Sequence, residues 1–307
     1  MLYVAVIGVR LLVILRCLTA RRVRAQITQK KAMAVADPRV LLRMPGCGGC
    51  HYFYFGVCSY LQRHVDLARL AFVTHSGSGF AVATLLTPGL EVADVCHAWI
   101  QRSQAFMAAG AGLYALPQLI TAHIADYQAD PRRFPTVHHV ATTTVAGLQT
   151  RWTSDFRSVA DYTEALLASM YIPGVIGPRP WTTLRGERCF DGAIGLRRRP
   201  ILGHVQYRAS FHVPFDGKTS FDSVVGIYMP DDHVDVAMAQ FQAGYAYAQG
   251  PLAAQLATCG VASATVPLYA PAPTPRTIGW CRRTQSFRGP ARGDRYRGPW
   301  WYRVARL

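Results

Sequence analysis

Short apolar segments, each followed by a turn rich in small residues and then by apolar residues at helical spacing, dominate the chain between residues 38 and 90. Residues 40–44 form an apolar run between two prolines, which predicts a short buried strand, and the aromatic and aliphatic residues across 51–64 predict a helix. The same order returns at 70–74 and 80–86. Two strand–turn–helix units in tandem predict parallel strands joined by right-handed crossovers.

The pattern after residue 90 alternates between helix and strand. Residues 93–127 are largely helical in pattern, with a kink or a break at Pro117, and the alternating Val and Thr of residues 136–152 predict a strand or a hairpin. The other elements predicted from periodicity are a helix at 158–170, strands at 187–190 and 207–213, and a helix at 234–249. We therefore expect an α/β protein.

The chain has 307 residues, half of them hydrophobic, which is enough for a sizeable core. Its formal charge is +16, and the basic residues, nearly all arginine, concentrate at 10–31 and 276–306. We divide the chain into an apolar, basic extension at 1–37, a folded domain at 38–250, and an Ala/Pro-rich linker with a basic, aromatic tail at 251–307. Basic ends attract anionic lipid or nucleic acid, although solvated tails shaped by a GC-rich coding sequence explain the same composition.

The first 18 residues are strongly apolar but contain Arg10 and Arg16. A membrane-spanning helix requires about 20 apolar residues, and a central arginine is costly in it. A signal peptide carries its charge before the apolar stretch and a small-residue cleavage site after it. Neither description fits, so an unstructured extension or a weak signal-anchor is favoured over a membrane-surface anchor. We expect an intracellular protein, with association to a membrane or lipid surface left open.

Eight cysteines are scattered through apolar contexts, which favours reduced, mostly buried thiols in an intracellular protein. Cys47 and Cys50 form a C-x-x-C motif next to His51. A zinc or redox site needs partners at matching spacing, and the chain has no second C-x-x-C. We therefore expect neither a metal nor another cofactor.

The first turn, Gly46-Cys47-Gly48-Gly49, follows a predicted strand and precedes a predicted helix. Small residues at this place let backbone N–H groups face an anion at the positive end of the helix. An oxyanion hole needs such donors, aimed before the charge develops. Phosphate binding and a simple tight bend are the alternatives.

The second turn, at residues 74–79, resembles a nucleophile elbow, in which a serine stands at the apex between small residues. The usual G-x-S-x-G pattern is absent. Ser76 has Thr74 and Ser78 two residues away on either side, whereas Ser78 has the bulky Phe80. The usual distance to the helix would place Gly77 at the apex. Ser76 is the candidate nucleophile, Gly77 and Ser78 are the alternatives for the apex, and a plain Gly/Ser bend explains the same residues.

The third turn, Asp191-Gly192-Ala193, places a carboxylate at the end of a predicted strand. A carboxylate within hydrogen-bond reach of a serine can take its proton, although histidine is the more usual base. Asp-Gly is also a common turn sequence. The order and spacing of the three turns are therefore more specific than any one of them.

The three turns together resemble those of the patatin-like phospholipase family, and most closely the branch that includes adipose triglyceride lipase. The matching positions are Gly46-Cys47-Gly48 with Tyr54, Gly56 and Val57, then residues 76–84, and finally Asp191-Gly192-Ala193. About 115 residues separate the second turn from Asp191, a separation typical of that family. The resemblance extends, with gaps, from about residue 40 to residue 249.

The resemblance implies a three-layer α/β/α sandwich with a mainly parallel central sheet. It also implies a serine–aspartate dyad without histidine, here Ser76 and Asp191, and an oxyanion hole at Gly46-Cys47-Gly48-Gly49. The implied substrates are phospholipids or acylglycerols, and the basic ends would favour an anionic membrane surface.

The chain departs from the family at the nucleophile. Aligned without a gap, the family's serine corresponds to Gly77 and the glycine before it to His75, while His51 replaces the last glycine of the oxyanion segment. A shift of one residue places Ser76 at the apex. The alternative is a catalytically inactive patatin-like protein that binds lipid or a protein partner. A third interpretation, nucleic-acid binding through the arginine- and tryptophan-rich tail at 282–306, is disfavoured.

Overall fold

The structure is a computed structural model. It describes residues 35–108, 116–127, 129–195, 197–198, 205–214 and 233–261. In this part of the chain the predicted α/β class is confirmed, because a sheet with parallel strands at its centre is flanked by helices. The arrangement is compatible with a three-layer α/β/α sandwich.

The described part of the chain contains the following strands and helices, numbered in chain order. The strands are β1 (Val35–Met44), β2 (Leu70–His75), β3 (Val137–Thr144), β4 (Gln149–Thr153), β5 (Thr182–Leu184), β6 (Glu187–Asp191), β7 (Arg197–Arg198) and β8 (Val205–His212). The helices are α1 (His51–His64), α2 (Ser78–Leu86), α3 (Val92–Ala108), α4 (Leu116–Tyr127), α5 (Val159–Ser169), α6 (His233–Tyr247) and α7 (Ala253–Thr258).

The chain divides into two compact units. The smaller comprises residues 1–37 and 201–206, of which the structure describes only 35–37 and 205–206. The larger contains every site residue discussed below.

The sheet has the strand order β5-β6-β3-β2-β1-β8, with β4 paired to β3 and β7 paired to β4. Strands β1, β2 and β3 are parallel, as the two strand–turn–helix units predicted. Strands β4 and β6 both pair with β3 in the antiparallel direction, and β5 is antiparallel to β6. The carboxyl ends of β1 and β2 therefore lie at one edge of the sheet, where the first two turns follow them.

Strands β2 and β6 lie end to end along the same edge of β3. Strand β4 pairs with residues 140–143 of β3, a range that overlaps the residues paired with β2 and also those paired with β6. Because a strand has only two edges, β2 and β6 share the edge opposite β4. His75 is opposite Ala141 and Asp191 is opposite Thr142. The last residues of β2 and β6 therefore lie beside neighbouring residues of β3.

Helix α1 forms much of the core, since its residues from His51 to Leu61 are all buried. It packs against α6 at two glycines. A β-carbon added to Gly56 would overlap the carbonyl oxygen of Phe241, and one added to Gly244 would overlap the carbonyl oxygen of Phe53. The two backbones are in direct contact, so this crossing tolerates no side chain at either position.

The folded region continues past the boundary at residue 250 that composition suggested. After α6 the chain makes a π-helical turn at Ala248–Leu252, which contains Pro251, and then continues into α7. Ala248, Leu252 and Leu256 are buried in the core. Their spacing of four residues places them on one helix face, and this face holds the segment against the core despite its high content of Ala and Pro.

The six cysteines in the described part of the chain are all buried and free; they are Cys47, Cys50, Cys58, Cys96, Cys189 and Cys259. The predictions for the apolar first 18 residues, the two basic segments, the Pro-rich stretch around 271–275 and the aromatic tail fall on residues outside the described ranges. Among the helices that the structure describes, none has the length and apolar character needed to span a membrane.

Candidate active site

The second turn places Ser76 at its apex. Strand β2 ends at His75 and helix α2 begins at Ser78, so only two residues form the turn. Ser76 has a φ of 55°, in the left-handed region that costs a residue with a side chain about 1–2 kcal/mol. Gly77 has an ordinary helical φ of −57°. The strained position is therefore Ser76, one residue before the position given by the ungapped alignment.

Ser78 supports the turn from inside the protein. Its hydroxyl oxygen accepts a hydrogen bond from the N–H of His75 at 3.1 Å. The same oxygen lies 3.0 Å from the carbonyl oxygen of Met44 and 2.8 Å from that of His75, either of which can accept its proton. Ser78 is completely buried, so its hydroxyl links the ends of β1 and β2 and is not placed to attack a substrate.

Asp191 stands at the end of β6, where it is only 2% exposed. Its carboxylate accepts a hydrogen bond from the N–H of Ala193 at 2.7 Å. Burial raises the pKa of Asp191 to about 6, and the neighbouring Ser76 side chain and the Ala193 N–H oppose that rise. At neutral pH the carboxylate is ionised, and it is a stronger base than a carboxylate in water.

The glycine-rich turn contacts both of the other turns. A β-carbon on Gly46 would lie 2.8 Å from the β-carbon of Ala193 and 3.3 Å from that of Ser76. A β-carbon on Gly77 would lie 2.8 Å from the carbonyl oxygen of Gly48. The three segments, far apart in the sequence, therefore meet at one point, and the two glycines permit this close approach.

Backbone donors are available in the glycine-rich turn. Residues Gly48–Cys50 form a 3₁₀ turn that leads directly into α1, and the first N–H groups of a helix have no partner inside it. Gly48 has a positive φ of 55°, a conformation that glycine adopts without strain. The segment 46–49 therefore lies beside the Ser76 turn just before the N-terminus of α1, with Gly46 next to Ser76 itself.

The thiol of Cys47, beside the same turns, is not activated as a nucleophile. Burial, together with the neighbouring Cys50 and Asp191, raises the pKa of Cys47 well above its usual value. The thiol therefore stays protonated at neutral pH, and the reactive form of cysteine is the thiolate.

Within the described residues, no three His, Cys, Asp or Glu side chains are grouped so that they could hold a metal ion.

His51 and His75, which stand beside the first two turns, both have local packing partners. His51 is buried, and its Nε2 accepts a hydrogen bond from the indole N–H of Trp99 at 2.7 Å. His75 is half-buried, with Nδ1 3.1 Å from the carbonyl oxygen of Gly192. The second contact links the serine turn to the aspartate turn, so His75 helps hold the two turns together.

The sequence did not identify the buried residues whose hydrogen bonds support the serine turn. Ser169, at the end of α5, accepts the backbone N–H of Ser76. A buried chain of hydrogen bonds also joins Thr74 to His138 at 2.7 Å and His138 to Tyr162 at 2.8 Å. Burial lowers the pKa of His138 to about 3, so this ring is neutral. Apart from Thr74, which begins the second turn, none of these residues belongs to a short motif. Only the register of β2 and β3 could have suggested that Thr74 and His138 are neighbours.

No model of a known protein family matches the chain, and no curated protein matches it significantly in sequence.

Proposed function

We propose that this chain is a serine acyl hydrolase of the patatin-like type that acts on lipid esters, either phospholipids or acylglycerols. The observation that carries the proposal is that Ser76, held in a left-handed turn, and the buried carboxylate of Asp191 lie together where β2 and β6 meet along β3, with the Ser76 side chain lowering the pKa of that carboxylate. The proposed oxyanion hole is the glycine-rich segment 46–49, which contacts the same turn. The resemblance to the patatin-like family supplies the class of substrate.

In the proposed reaction Ser76 Oγ attacks the ester carbonyl carbon while Asp191 accepts the serine proton. The negative charge that develops on the carbonyl oxygen is stabilised by N–H groups of the glycine-rich segment. Asp191 then gives the proton to the departing alcohol, and an acyl-serine remains. Water hydrolyses the acyl-serine with Asp191 as the base, which restores both groups.

The surroundings of the dyad suit an apolar substrate approaching from one side. Gly46 and Gly48 are half-buried and Ala193 is exposed, so solvent reaches the rim of the site there. Ile194, three residues after Asp191, is 44% exposed and offers an apolar contact at that rim. The basic segments at 10–31 and 276–306 would attract an anionic lipid surface, and we propose that the protein works at such a surface inside the cell.

The burial of the dyad favours a second candidate function. Ser76 is 5% exposed and Asp191 is 2% exposed, so an ester must displace neighbouring groups to reach Oγ. A catalytically inactive protein of the same fold, which binds lipid or a protein partner, needs no such access.

Covalent labelling with a fluorophosphonate distinguishes the two candidates. We expect the full-length protein to form a single adduct, because only a serine activated by a base reacts readily with this probe. Fragmentation of the labelled peptide should place the adduct on Ser76 and leave Ser78, which lies in the same peptide, unmodified. A folded protein that takes up no label would refute the hydrolase and support the inactive candidate.

The rate of hydrolysis should depend on the ionisation of Asp191. Since the proposed base must be deprotonated, and burial raises its pKa to about 6, kcat/KM should be constant at neutral pH and fall tenfold per pH unit below about 6. The measurement is kcat/KM for a soluble p-nitrophenyl ester between pH 4.5 and 8. A rate that stays constant down to pH 4.5 would show that Asp191 is not the base.

A further inference from the structure

The C-terminal end of α5 is bound to both turns of the proposed dyad. The hydroxyl oxygen of Ser169 accepts a hydrogen bond from the backbone N–H of Ser76 at 2.9 Å. The carbonyl oxygen of Ser169 accepts one from the N–H of Gly192 at 3.2 Å, and the carbonyl oxygen of Tyr171 accepts one from Asp191 at 2.8 Å. Carbonyl groups at the end of a helix have no partner within it, which leaves them free to hold neighbouring loops.

Only one of these contacts depends on a side chain. The bonds to Asp191 and Gly192 use backbone carbonyl groups, which any residue supplies, whereas the bond to Ser76 requires the hydroxyl of Ser169. Ser169 is completely buried and Ser76 nearly so. Water therefore cannot easily replace the hydroxyl, and a buried N–H without a partner is unfavourable.

The same hydrogen bond acts on a strained peptide. Ser76 has a φ of 55°, which its β-carbon disfavours, and surrounding contacts must hold such a conformation in place. If its N–H lost this acceptor, the strained conformation of Ser76 would be less stable, and its backbone would rotate towards an ordinary negative φ. Oγ would move with the backbone and leave the carboxylate of Asp191.

We propose that Ser169 is a positioning residue for the hydrolysis: its hydroxyl fixes the peptide of Ser76 in the left-handed turn and so keeps Oγ on the carboxylate of Asp191. This role rests on the proposed function, because it concerns the same dyad. Ser169 contacts neither the substrate nor the reacting atoms.

The test compares Ser169→Ala with wild type and with Ser59→Ala, all as full-length protein. Ser59 is a matched control because it is also completely buried, lies on α1, and has a hydroxyl with no hydrogen-bond partner among the described residues. The measurements are the rate of fluorophosphonate labelling, its dependence on pH, and hydrogen exchange of the Ser76 amide. All are made well below the unfolding temperature of each variant.

We expect Ser169→Ala to label about 10- to 100-fold more slowly than wild type, the effect of a small misplacement of a reacting atom. The acidic limb of its pH profile should move to higher pH, because the Ser76 side chain, which lowers the pKa of Asp191, moves away from the carboxylate. A merely less stable protein would keep the wild-type limb. The Ser76 amide should exchange faster in Ser169→Ala, and Ser59→Ala should match wild type throughout.

A Ser169→Ala protein that labels within twofold of wild type, with an unchanged pH profile, would overturn the positioning role. Failure of the proposed function gives a different result, because wild type itself then takes up no label. In that case the positioning role falls with the function, and amide exchange still reports whether Ser169 holds the Ser76 peptide.

Discussion

Ser76→Ala should abolish ester hydrolysis in a protein that remains folded. Alanine keeps the β-carbon, so the strain at a φ of 55° is unchanged, and the backbone bond to Ser169 does not involve the lost hydroxyl. The nucleophile, however, is gone. In serine hydrolases such a loss costs many thousandfold, and the remaining acceleration comes from the oxyanion donors and from binding. We expect kcat/KM for a soluble ester to fall by about 10,000-fold or more.

The measurement needs a stability check and a control. Thermal unfolding of Ser76→Ala should occur within a few degrees of wild type, since only one buried hydroxyl beside Asp191 is removed. Ser59→Ala, which removes a buried hydroxyl elsewhere, should retain full activity. A Ser76→Ala protein that keeps a tenth of the wild-type activity would show that another group is the nucleophile.

Gly244→Ala should strongly destabilise the fold. The new β-carbon would overlap the carbonyl oxygen of Phe53, which belongs to the backbone of α1 and cannot turn aside as a side chain can. The helices must separate, and every core side chain between them loses contact with its neighbours. We expect the free energy of unfolding to fall by about 3 kcal/mol or more, towards the upper end of the range for overpacked cores.

Gly250→Ala is the matched control for this substitution. Gly250 lies six residues further along, in the π-helical turn, and a β-carbon there would meet no atom within 4 Å. Its substitution should leave stability unchanged or raise it by about 0.5 kcal/mol, because alanine restricts the unfolded chain more than glycine does. Urea denaturation monitored by circular dichroism measures both variants. Equal midpoints for the two variants would mean that α1 and α6 do not cross in contact.

Local elements were the most predictable part of the fold. The helix at 51–64 and the strands near 40–44 and 70–74 follow from the hydrophobic periodicity and from the Gly and Pro residues that bound them. These signals depend on neighbouring residues alone. The helical hydrophobic spacing of residues 248–256 is of the same kind, but the high content of Ala and Pro around it obscured it, so the predicted domain boundary at 250 precedes the end of the folded region.

The site was less predictable, because it depends on backbone angles and on the pairing of distant strands. The sequence indicated which three turns to examine, but it could not decide whether Ser76 or Gly77 stands at the apex. The two possibilities differ in which of these residues has the positive φ angle, and a local sequence pattern does not fix that angle. Nor could it find Ser169, whose role arises from the place where α5 ends relative to β2. A serine near the end of a helix has no distinguishing pattern, and its importance lies entirely in its partner.

Because β2 and β6 lie end to end along β3, their registers on β3 set the distance between Ser76 and Asp191. Each residue of a strand advances about 3.3 Å and turns its side chain to the opposite face of the sheet. Adding or deleting one residue in either strand therefore changes the gap between the serine and the carboxylate, and it also turns one of them away from the other. The hairpin of β5 and β6, which carries Asp191, can therefore be changed in sequence without moving the carboxylate, provided that the number of residues paired with β3 stays the same.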